Sequence, residues 1–178
     1  MQNFTFHNPT KILFGKGCIA DIAGEIPKKS RVLITYGGGS IKANGVLDAV
    51  RAALKGQTVF EFSGIEPNPT YETLMDAVSL VQAEKIDFLL AVGGGSVIDG
   101  TKFIAAATCF NGDTWDILAR GAAVTHALPL ASVLTLPATG SEMNGGSVIT
   151  RKSIKAKLHF ISPLVYPRFS ALDPTTTY

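Results

Sequence analysis

The sequence predicts an α/β fold, with a doubly wound, mostly parallel β-sheet covered by helices on both faces. Short apolar, β-branched runs alternate along the chain with segments whose apolar residues recur at helical spacing. The middle runs, at 31–36 and 87–92, are almost continuously apolar, which is typical of strands buried on both faces. Both of these runs end in Gly-Gly-Gly-Ser, at 37–40 and 93–96.

The first predicted element is an N-terminal β-ribbon over residues 1–14, in which apolar residues alternate with polar ones around the turn Asn8-Pro9-Thr10. A short helix follows from Ile19 to Ile26 and is ended by Pro27. The later predicted elements alternate between strand and helix: strands at 31–36, 58–62, 87–92 and within 127–136, helices at 46–54, from 70 and at 97–110, and extended segments at 147–150, 157–160 and 168–172.

Composition excludes several classes of protein. The chain has 178 residues, about one domain, and its 46% hydrophobic and 17% charged residues exclude a disordered chain. A net charge of +2 without a dense Lys/Arg run argues against a nucleic-acid partner. The apolar run at 103–110 is far shorter than the roughly 20 residues of a membrane span, so no membrane partner is expected. The two cysteines, Cys18 and Cys109, fit a reducing, cytoplasmic location.

Three glycine-bearing turns follow predicted strands, at 37–40, 93–96 and 139–141. Ligands of open parallel sheets bind beyond the carboxyl ends of the strands, where glycine permits close approach of the backbone. The turn at 93–96 leads directly into a helix whose free N–H groups suit a phosphate, and Ser96 and Asp99 match a capping box. The glycines could instead only form tight turns, but three on one sheet edge favour a phosphate-bearing ligand.

The segment Gly15-Lys16-Gly17-Cys18-Ile19-Ala20 matches a dinucleotide fingerprint but lacks an acidic residue about 20 positions later. We interpret Gly15-Lys16-Gly17 as a turn, and place the pyrophosphate of any dinucleotide at 93–96. The loop at 37–40 offers small residues, a hydroxyl and the nearby Lys42 where NAD-specific sites carry a carboxylate. This composition favours NADP(H) over NAD(H).

Other chemistry is weakly represented. His7, His126 and His159 lie at no metal-ligand spacing from one another, and Gly140-Ser141-Glu142 is not a nucleophile elbow. Glu142 either orients a cofactor or caps neighbouring N–H groups, and the capping interpretation is favoured. Trp115 is expected to pack at a helix start.

Several motifs together resemble the iron-containing alcohol dehydrogenase family. They are Phe14-Gly15-Lys16-Gly17, Pro67-Asn68-Pro69, Gly93-Gly94-Gly95-Ser96-Val97-Ile98-Asp99, Pro137-Ala138-Thr139-Gly140-Ser141-Glu142 and Asp173-Pro174. The Gly-Gly-Gly-Ser loop and the short Ala-Thr-Gly-Ser-Glu turn are similar to the NADPH-dependent butanol dehydrogenase and broad-range aldehyde reductase branch. Glycerol dehydrogenases and dehydroquinate synthases, an alternative, share the second glycine loop but not this combination of motifs.

The resemblance implies a Rossmann-like fold and a set of cofactor-binding residues. It implies that the loop at 37–40 faces the adenosine 2′-phosphate, that the loop at 93–96 holds the pyrophosphate, and that Lys157 lies near the nicotinamide ribose. The full set of cofactor-binding residues is Gly37, Gly38, Gly39, Ser40, Asn68, Gly94, Gly95, Ser96, Asp99, Thr139, Asn144 and Lys157.

The family's activity is hydride transfer between NADP(H) and an alcohol or aldehyde, with metal ligands in a second, helical C-terminal domain. The resemblance therefore implies that residues 1–178 are the N-terminal dinucleotide-binding domain. It also implies that iron or zinc is bound only in a full-length parent, and that this chain holds no catalytic residue or metal ligand. We expect a homodimer through residues 1–14. The alternative is a cofactor-binding or assembly module that is not catalytic on its own.

Overall fold

The computed structural model describes residues 3–177, so Met1, Gln2 and Tyr178 lie outside the description. Strands and α-helices alternate as predicted, and short 3₁₀ turns join several of them. The elements are β1 (Lys11–Phe14), β2 (Arg31–Tyr36), α1 (Ser40–Ala43), α2 (Val46–Ala53), β3 (Thr58–Phe62), α3 (Tyr71–Ala83), β4 (Phe88–Gly94), α4 (Gly95–Thr108), α5 (Asp116–Ala119), β5 (Leu130–Leu136), β6 (Gly146–Arg151), β7 (Ala156–Ile161) and β8 (Phe169–Leu172).

The main sheet has six strands in the order β1-β8-β5-β4-β2-β3, and all neighbouring pairs run parallel. From β2 the chain continues to β3 on one side, whereas from β4 it continues to β5 on the other side. The boundary between β2 and β4 is therefore a topological switch point, where the helices leave toward opposite faces and a crevice opens at the carboxyl ends.

A separate apolar core covers each face of the sheet. Alternate residues of β2 supply both cores, because successive side chains of a strand point to opposite faces. Ile34 packs with α2 and the 3₁₀ turn Cys18–Gly24, whereas Leu33 packs with α3 and α4. The helices on both faces confirm the predicted doubly wound α/β class.

The predicted N-terminal ribbon is wrong. Residues 11–14 form β1, which pairs parallel with β8 at the edge of the main sheet, and residues 3–10 form no strand. A two-stranded ribbon has no core of its own to bury, whereas β8 offers a row of backbone partners beside an existing core. Phe4 and Phe6, assigned to the ribbon, are 84% and 77% exposed.

The strands β6 and β7 form an antiparallel hairpin that packs on α4. One face of the hairpin buries Ile149 and Phe160, and the opposite face carries the cross-strand pair Val148 and His159. The tip of the hairpin is fixed to α3, since the N–H groups of Lys152 and Ser153 donate to the Glu72 carboxylate at 3.3 and 3.1 Å. In the part of the chain that is described, no helix combines the length and apolarity that crossing a bilayer requires.

Candidate cofactor-binding site

The three predicted glycine turns lie side by side at one edge of the sheet. The loop 37–40 follows β2, the segment 93–96 spans the junction of β4 and α4, and the turn 137–146 follows β5. Because β2, β4 and β5 are consecutive neighbours in the parallel sheet, their carboxyl ends meet at the switch point. Sequence reasoning therefore placed the three turns at the correct edge.

The glycines of these turns serve two different purposes. A Cβ on Gly95 would overlap the Thr139 side chain, with Cγ2 at 2.8 Å, and a Cβ on Gly93 would lie 2.7 Å from Cγ2 of Val97. Gly38 and Gly39 face open space, because no atom of residues 3–177 would lie within 4 Å of a Cβ at either position. Packing within the protein thus explains glycine at 93 and 95, whereas the loop at 37–40 leaves room for a ligand.

The capping box predicted for Ser96 and Asp99 is wrong. Helix α4 begins at Gly95, and its N-cap, Gly94, forms no side-chain cap. The Ser96 hydroxyl instead accepts from the N–H of Asn68 at 3.3 Å. The α4 N-terminus is consequently left without a side-chain cap, and its first N–H groups and dipole can receive an anion.

Asn68 joins the α4 N-terminus to the β6–β7 hairpin. Its backbone has a φ of 58°, and its Oδ1 accepts from Nζ of Lys157 at 2.6 Å. These contacts bring together Asn68, Ser96 and Lys157, three predicted site residues from separate parts of the sequence. The lysine ammonium is therefore held at the edge of the crevice.

The loop 37–40 presents unused donors. Among residues 3–177, the N–H groups of Gly38 and Gly39 donate to no other group. The Lys42 ammonium lies 5.2 Å from the centre of the Tyr36 ring. Lys42 thus packs against Tyr36 at the end of β2 and does not extend along the loop. The groups that remain available to donate hydrogen bonds to an anion are the backbone N–H groups and the Ser40 hydroxyl.

A carboxylate near this loop is neutralised. Glu61 in β3 accepts from Arg51 at 2.7 and 3.0 Å and from the Tyr36 hydroxyl at 3.0 Å. The hydrogen bond from Arg51 is the largest influence on the pKa of Glu61, which lies below its usual value. Arg51 therefore offsets the repulsion that Glu61 would exert on an anionic ligand.

Asp99 connects α4 to the elements that follow β5. Its carboxylate accepts from the Ser141 hydroxyl at 2.6 Å and from the Val148 N–H at 3.1 Å. Burial raises the pKa of Asp99, and the bonds from Ser141 and Val148 oppose that shift. Asp99 thus shapes the site by fixing the turn 139–146 and the hairpin to the helix.

Lys102, one turn further along α4, was not among the predicted site residues. Its side chain is fully buried, and its Nζ donates to Ser141 Oγ at 2.8 Å, Asn144 Oδ1 at 3.0 Å and the Gly146 carbonyl at 2.9 Å. Burial lowers the pKa of Lys102 to about 8, although Asp99 and Glu142 act in the opposite direction.

A cavity of about 270 Å³ opens above this network, and Asp99, Thr139, Asn144 and His159 contribute to its lining. Thr139 also accepts from the Ser141 N–H at 3.3 Å. The cavity brings the predicted residues Asp99, Thr139 and Asn144 together.

The prediction that Glu142 caps neighbouring N–H groups is wrong. The neighbouring N–H groups of Ser141 and Gly146 are capped by Thr139 and Asn144. Glu142 instead has a buried Oε2 that finds no hydrogen-bond partner among residues 3–177, and its backbone carbonyl accepts from the Ser170 hydroxyl at 2.7 Å.

A larger groove, of about 730 Å³, lies between the 3₁₀ turn Cys18–Gly24 and α2. Half of the residues that line it are alanine or glycine. The carboxylate of Asp173 in this wall already accepts from the Gly17 N–H at 2.6 Å and the Thr175 N–H at 2.9 Å. Gly15 and Gly17, at φ 133° and 80°, form a tight turn here, which confirms the turn interpretation of Gly15-Lys16-Gly17.

Across residues 3–177, no three His, Cys, Asp or Glu side chains come close enough together to hold a metal ion.

Trp115 is buried and packs edge-on against Tyr71 at 5.3 Å, which confirms the expected packing role.

Comparison with known proteins decides the family. Residues 9–174 match the family described as iron-containing alcohol dehydrogenase. The chain belongs to the iron-containing alcohol dehydrogenase family. The NADPH-dependent aldehyde reductase YqhD of Escherichia coli is 60% identical over 181 residues, covering 100% of this chain and 47% of that protein. The probable NADH-dependent butanol dehydrogenase 1 of Bacillus subtilis is 52% identical, covering 100% of this chain and 47% of that protein.

Solved structures of this iron-containing alcohol dehydrogenase family share the fold. The crystal structure of Escherichia coli YqhD superimposes with a TM-score of 0.96 at 60% identity and covers 99% of this chain and 46% of that one. The NADH-dependent butanol dehydrogenase A of Thermotoga maritima gives a TM-score of 0.94 at 46% identity, covering 99% and 45%. The chain therefore spans about half the length of these relatives.

The sequence analysis missed Lys102 and Ser141, and for Lys102 the sequence carries a signal of pairing, although it does not indicate the partner. Lys102 stands three positions after Asp99, on the same side of a helix, and directly before an apolar run at 103–107. A charged residue beside such a run is either exposed or paired, and here it is paired with the turn after β5.

Proposed function

We propose that this chain is the nicotinamide-cofactor-binding part of an alcohol dehydrogenase or aldehyde reductase. In that parent, hydride passes between NADP(H) and an alcohol or aldehyde. The observation that carries the proposal is the convergence of the turns at 37–40, 93–96 and 137–146 at the switch point, beside the uncapped N-terminus of α4.

The chain's own residues divide the cofactor among them. The first N–H groups of α4, after Gly94, would bind the pyrophosphate. Asn68 would lie along the cofactor, and Lys157, joined to it at 2.6 Å, would lie near the nicotinamide ribose. Thr139 and Asn144 would line the middle of the cofactor. The bound nicotinamide would supply the hydride chemistry, whereas these residues bind and orient it.

The choice of NADP(H) rests on the loop 37–40, because the names of the relatives include both NADPH- and NADH-dependent enzymes. Free N–H groups at Gly38 and Gly39, together with the Ser40 hydroxyl, can donate hydrogen bonds to a 2′-phosphate. Open space around Gly38 and Gly39 leaves room for that phosphate.

The catalytic metal of the family, iron or zinc, would be held by residues beyond 3–177 in a full-length parent. Within the described part, Asp99 already accepts from Ser141 and Val148, and His159 is the one imidazole that lines the cavity. The fixed carboxylate and the single imidazole do not provide the three or four ligands that such metals require.

Titration of NADPH into the purified chain, followed by its fluorescence, tests the proposal. We expect saturable binding, and no turnover when an aldehyde and iron, zinc or manganese are added. Absence of binding both here and in a full-length parent would contradict the cofactor role. Sustained aldehyde-dependent oxidation of NADPH by the chain alone would contradict the proposal that the metal is held outside residues 3–177.

We also propose that the N-terminal segment joins two copies of the chain. Phe4 and Phe6 are more than three-quarters exposed, and β1 beside them is an edge strand. Because each buried phenylalanine contributes about 1.5–3 kcal/mol, Phe4→Ser with Phe6→Ser should weaken a dimer by about 100-fold or more.

Sedimentation of wild type and the double variant measures this effect. Lys55→Met, which alters an exposed lysine elsewhere, is the control. A monomeric wild type, or a dimer that is unaffected by the change, would contradict the proposal.

A cytoplasmic location stays a prediction from Cys18 and Cys109, which form no disulfide.

A further inference from the structure

A fully buried lysine beside the cofactor crevice demands an explanation. Desolvation of an ammonium is costly unless every donor is paired. Lys102 satisfies all three of its N–H donors, and all three acceptors belong to the short segment 141–146. Packing alone does not require a charge here, because an apolar side chain could fill the same volume in α4. The ammonium therefore serves to hold the segment 141–146 in place.

The ammonium and the Gly146 N–H together determine which way the Asn144 amide faces. Asn144 Oδ1 accepts from Lys102 Nζ at 3.0 Å and from the Gly146 N–H at 2.9 Å. With both acceptor sites of Oδ1 used, the amide nitrogen lies on the other side and donates to no group among residues 3–177. Asn144 therefore lines the cavity with its two N–H donors free for a ligand.

The same ammonium fixes Ser141. The Ser141 hydroxyl accepts from Lys102 at 2.8 Å, so its own proton is directed to Asp99, 2.6 Å away. The Ser141 hydroxyl therefore bridges the Lys102 ammonium and the Asp99 carboxylate. The network thus links α4 to the turn that carries Thr139 and Asn144.

We propose that Lys102 is a positioning residue whose charged form holds the turn 139–146 with the Asn144 donors directed at the bound cofactor. This inference rests on the proposed cofactor-binding function and adds a residue and a mechanism to it. Lys102 acts through Asn144 and Ser141, because its own side chain is fully buried.

The charge of Lys102 can be removed within an accessible pH range. The charged groups that act on it are Asp99 in α4 and Glu142 in the turn after β5, both of which favour its protonated form. His159 in β7 lines the same cavity. Burial outweighs the carboxylates and lowers the pKa of Lys102 to about 8. A neutral amine keeps only two N–H donors for three acceptors, so the network loses a bond as pH rises through 8.

The experiment measures the dissociation constant of NADPH from pH 6.5 to 9.5 for wild type, Lys102→Met and Asn144→Leu. We expect wild-type affinity to fall about tenfold, with a midpoint near pH 8, as one charge-assisted hydrogen bond is lost. Lys102→Met should bind about tenfold more weakly at pH 7 and show no such midpoint. The control Lys55→Met removes an exposed charge and should keep the wild-type profile.

A double variant shows whether Lys102 acts through Asn144. If it does, Lys102→Met should weaken NADPH binding much less in the Asn144→Leu background than in wild type, with only the part that passes through Ser141 remaining. Additive losses would overturn the positioning role.

Stability separates positioning from a merely structural role. The pKa of Lys102 in the folded chain is below its unfolded value, so the unfolded chain binds more protons between about pH 8 and 10.5. The Lys102 contribution to stability therefore rises with pH in that window, in the opposite direction to the expected loss of affinity. Urea unfolding of wild type and Lys102→Met at pH 7 and 9.5 measures it.

The outcomes distinguish this inference from the function on which it rests. A wild-type chain and full-length parent that bind no NADPH at any pH overturn both. Normal binding by a folded Lys102→Met overturns the inference alone. If Lys102→Met does not fold, the wild-type profile decides, and an affinity that is constant between pH 7 and 9.5 rejects the role of Lys102.

Discussion

Replacement of Gly38 by aspartate should weaken NADPH binding more than tenfold and change NADH binding less than threefold. A Cβ at Gly38 meets no atom within 4 Å, and its φ lies outside the left-handed region, so the fold accepts the change. The 2′-phosphate carries up to two negative charges. Even at the dielectric constant of water, a carboxylate about 5 Å from two such charges costs about 1.7 kcal/mol.

The isosteric control is Gly38→Asn, which adds the same volume without the charge. It should reduce the affinity for both cofactors equally, whereas Gly38→Asp should change the ratio of their dissociation constants. Both titrations are made at one ionic strength, because salt screens the repulsion. A wild type that already prefers NADH, or a ratio that aspartate leaves unchanged, would contradict the proposed 2′-phosphate site. Gly39 is a poorer test position, since its φ of 118° strains any side chain.

The fold was largely predictable because its signals are local. Continuous apolar runs indicated β2 and β4, and helical spacing indicated α2 and α3, all of which the structure confirms within a few residues. The ribbon over 1–14 was predicted wrongly because alternation of polar and apolar residues gives a strand but not its partner. Pairing of β1 with β8 joins residues more than 150 positions apart, for which the N-terminal sequence carries no signal.

The parts of the site where a turn follows a strand were predictable. Contacts between side chains that lie far apart in the sequence were not. The Ser96 and Asp99 spacing fits a capping box, but Asp99 binds Ser141 and Val148, more than 40 positions away. Lys102 was missed for the same reason. Its partners come from the segment after β5, and only the folded sheet brings that segment over α4.

The reason for each glycine could not be predicted from sequence either, and it leads to the second large effect. Gly95→Ala should lower the free energy of unfolding by about 1–3 kcal/mol, because the new Cβ overlaps the Thr139 side chain. Gly145→Ala should lower it by at least as much, because its Cβ overlaps the Ser162 carbonyl and lies 2.7 Å from the Tyr166 ring. Gly38→Ala, with open space around it, should leave stability unchanged or raise it by up to about 1 kcal/mol.

A second substitution separates overlap with a side chain from overlap with the backbone. Thr139→Ala removes Oγ1 and Cγ2, so it should restore more than half of the stability lost in Gly95→Ala, although the Thr139 Cβ at 3.1 Å still crowds the site. No truncation removes the Ser162 carbonyl, so Tyr166→Ala should not rescue Gly145→Ala. Urea unfolding of the single and double variants at one pH measures these differences. If Gly95→Ala is as stable as wild type yet binds NADPH poorly, glycine at 95 is there for the ligand and not for packing.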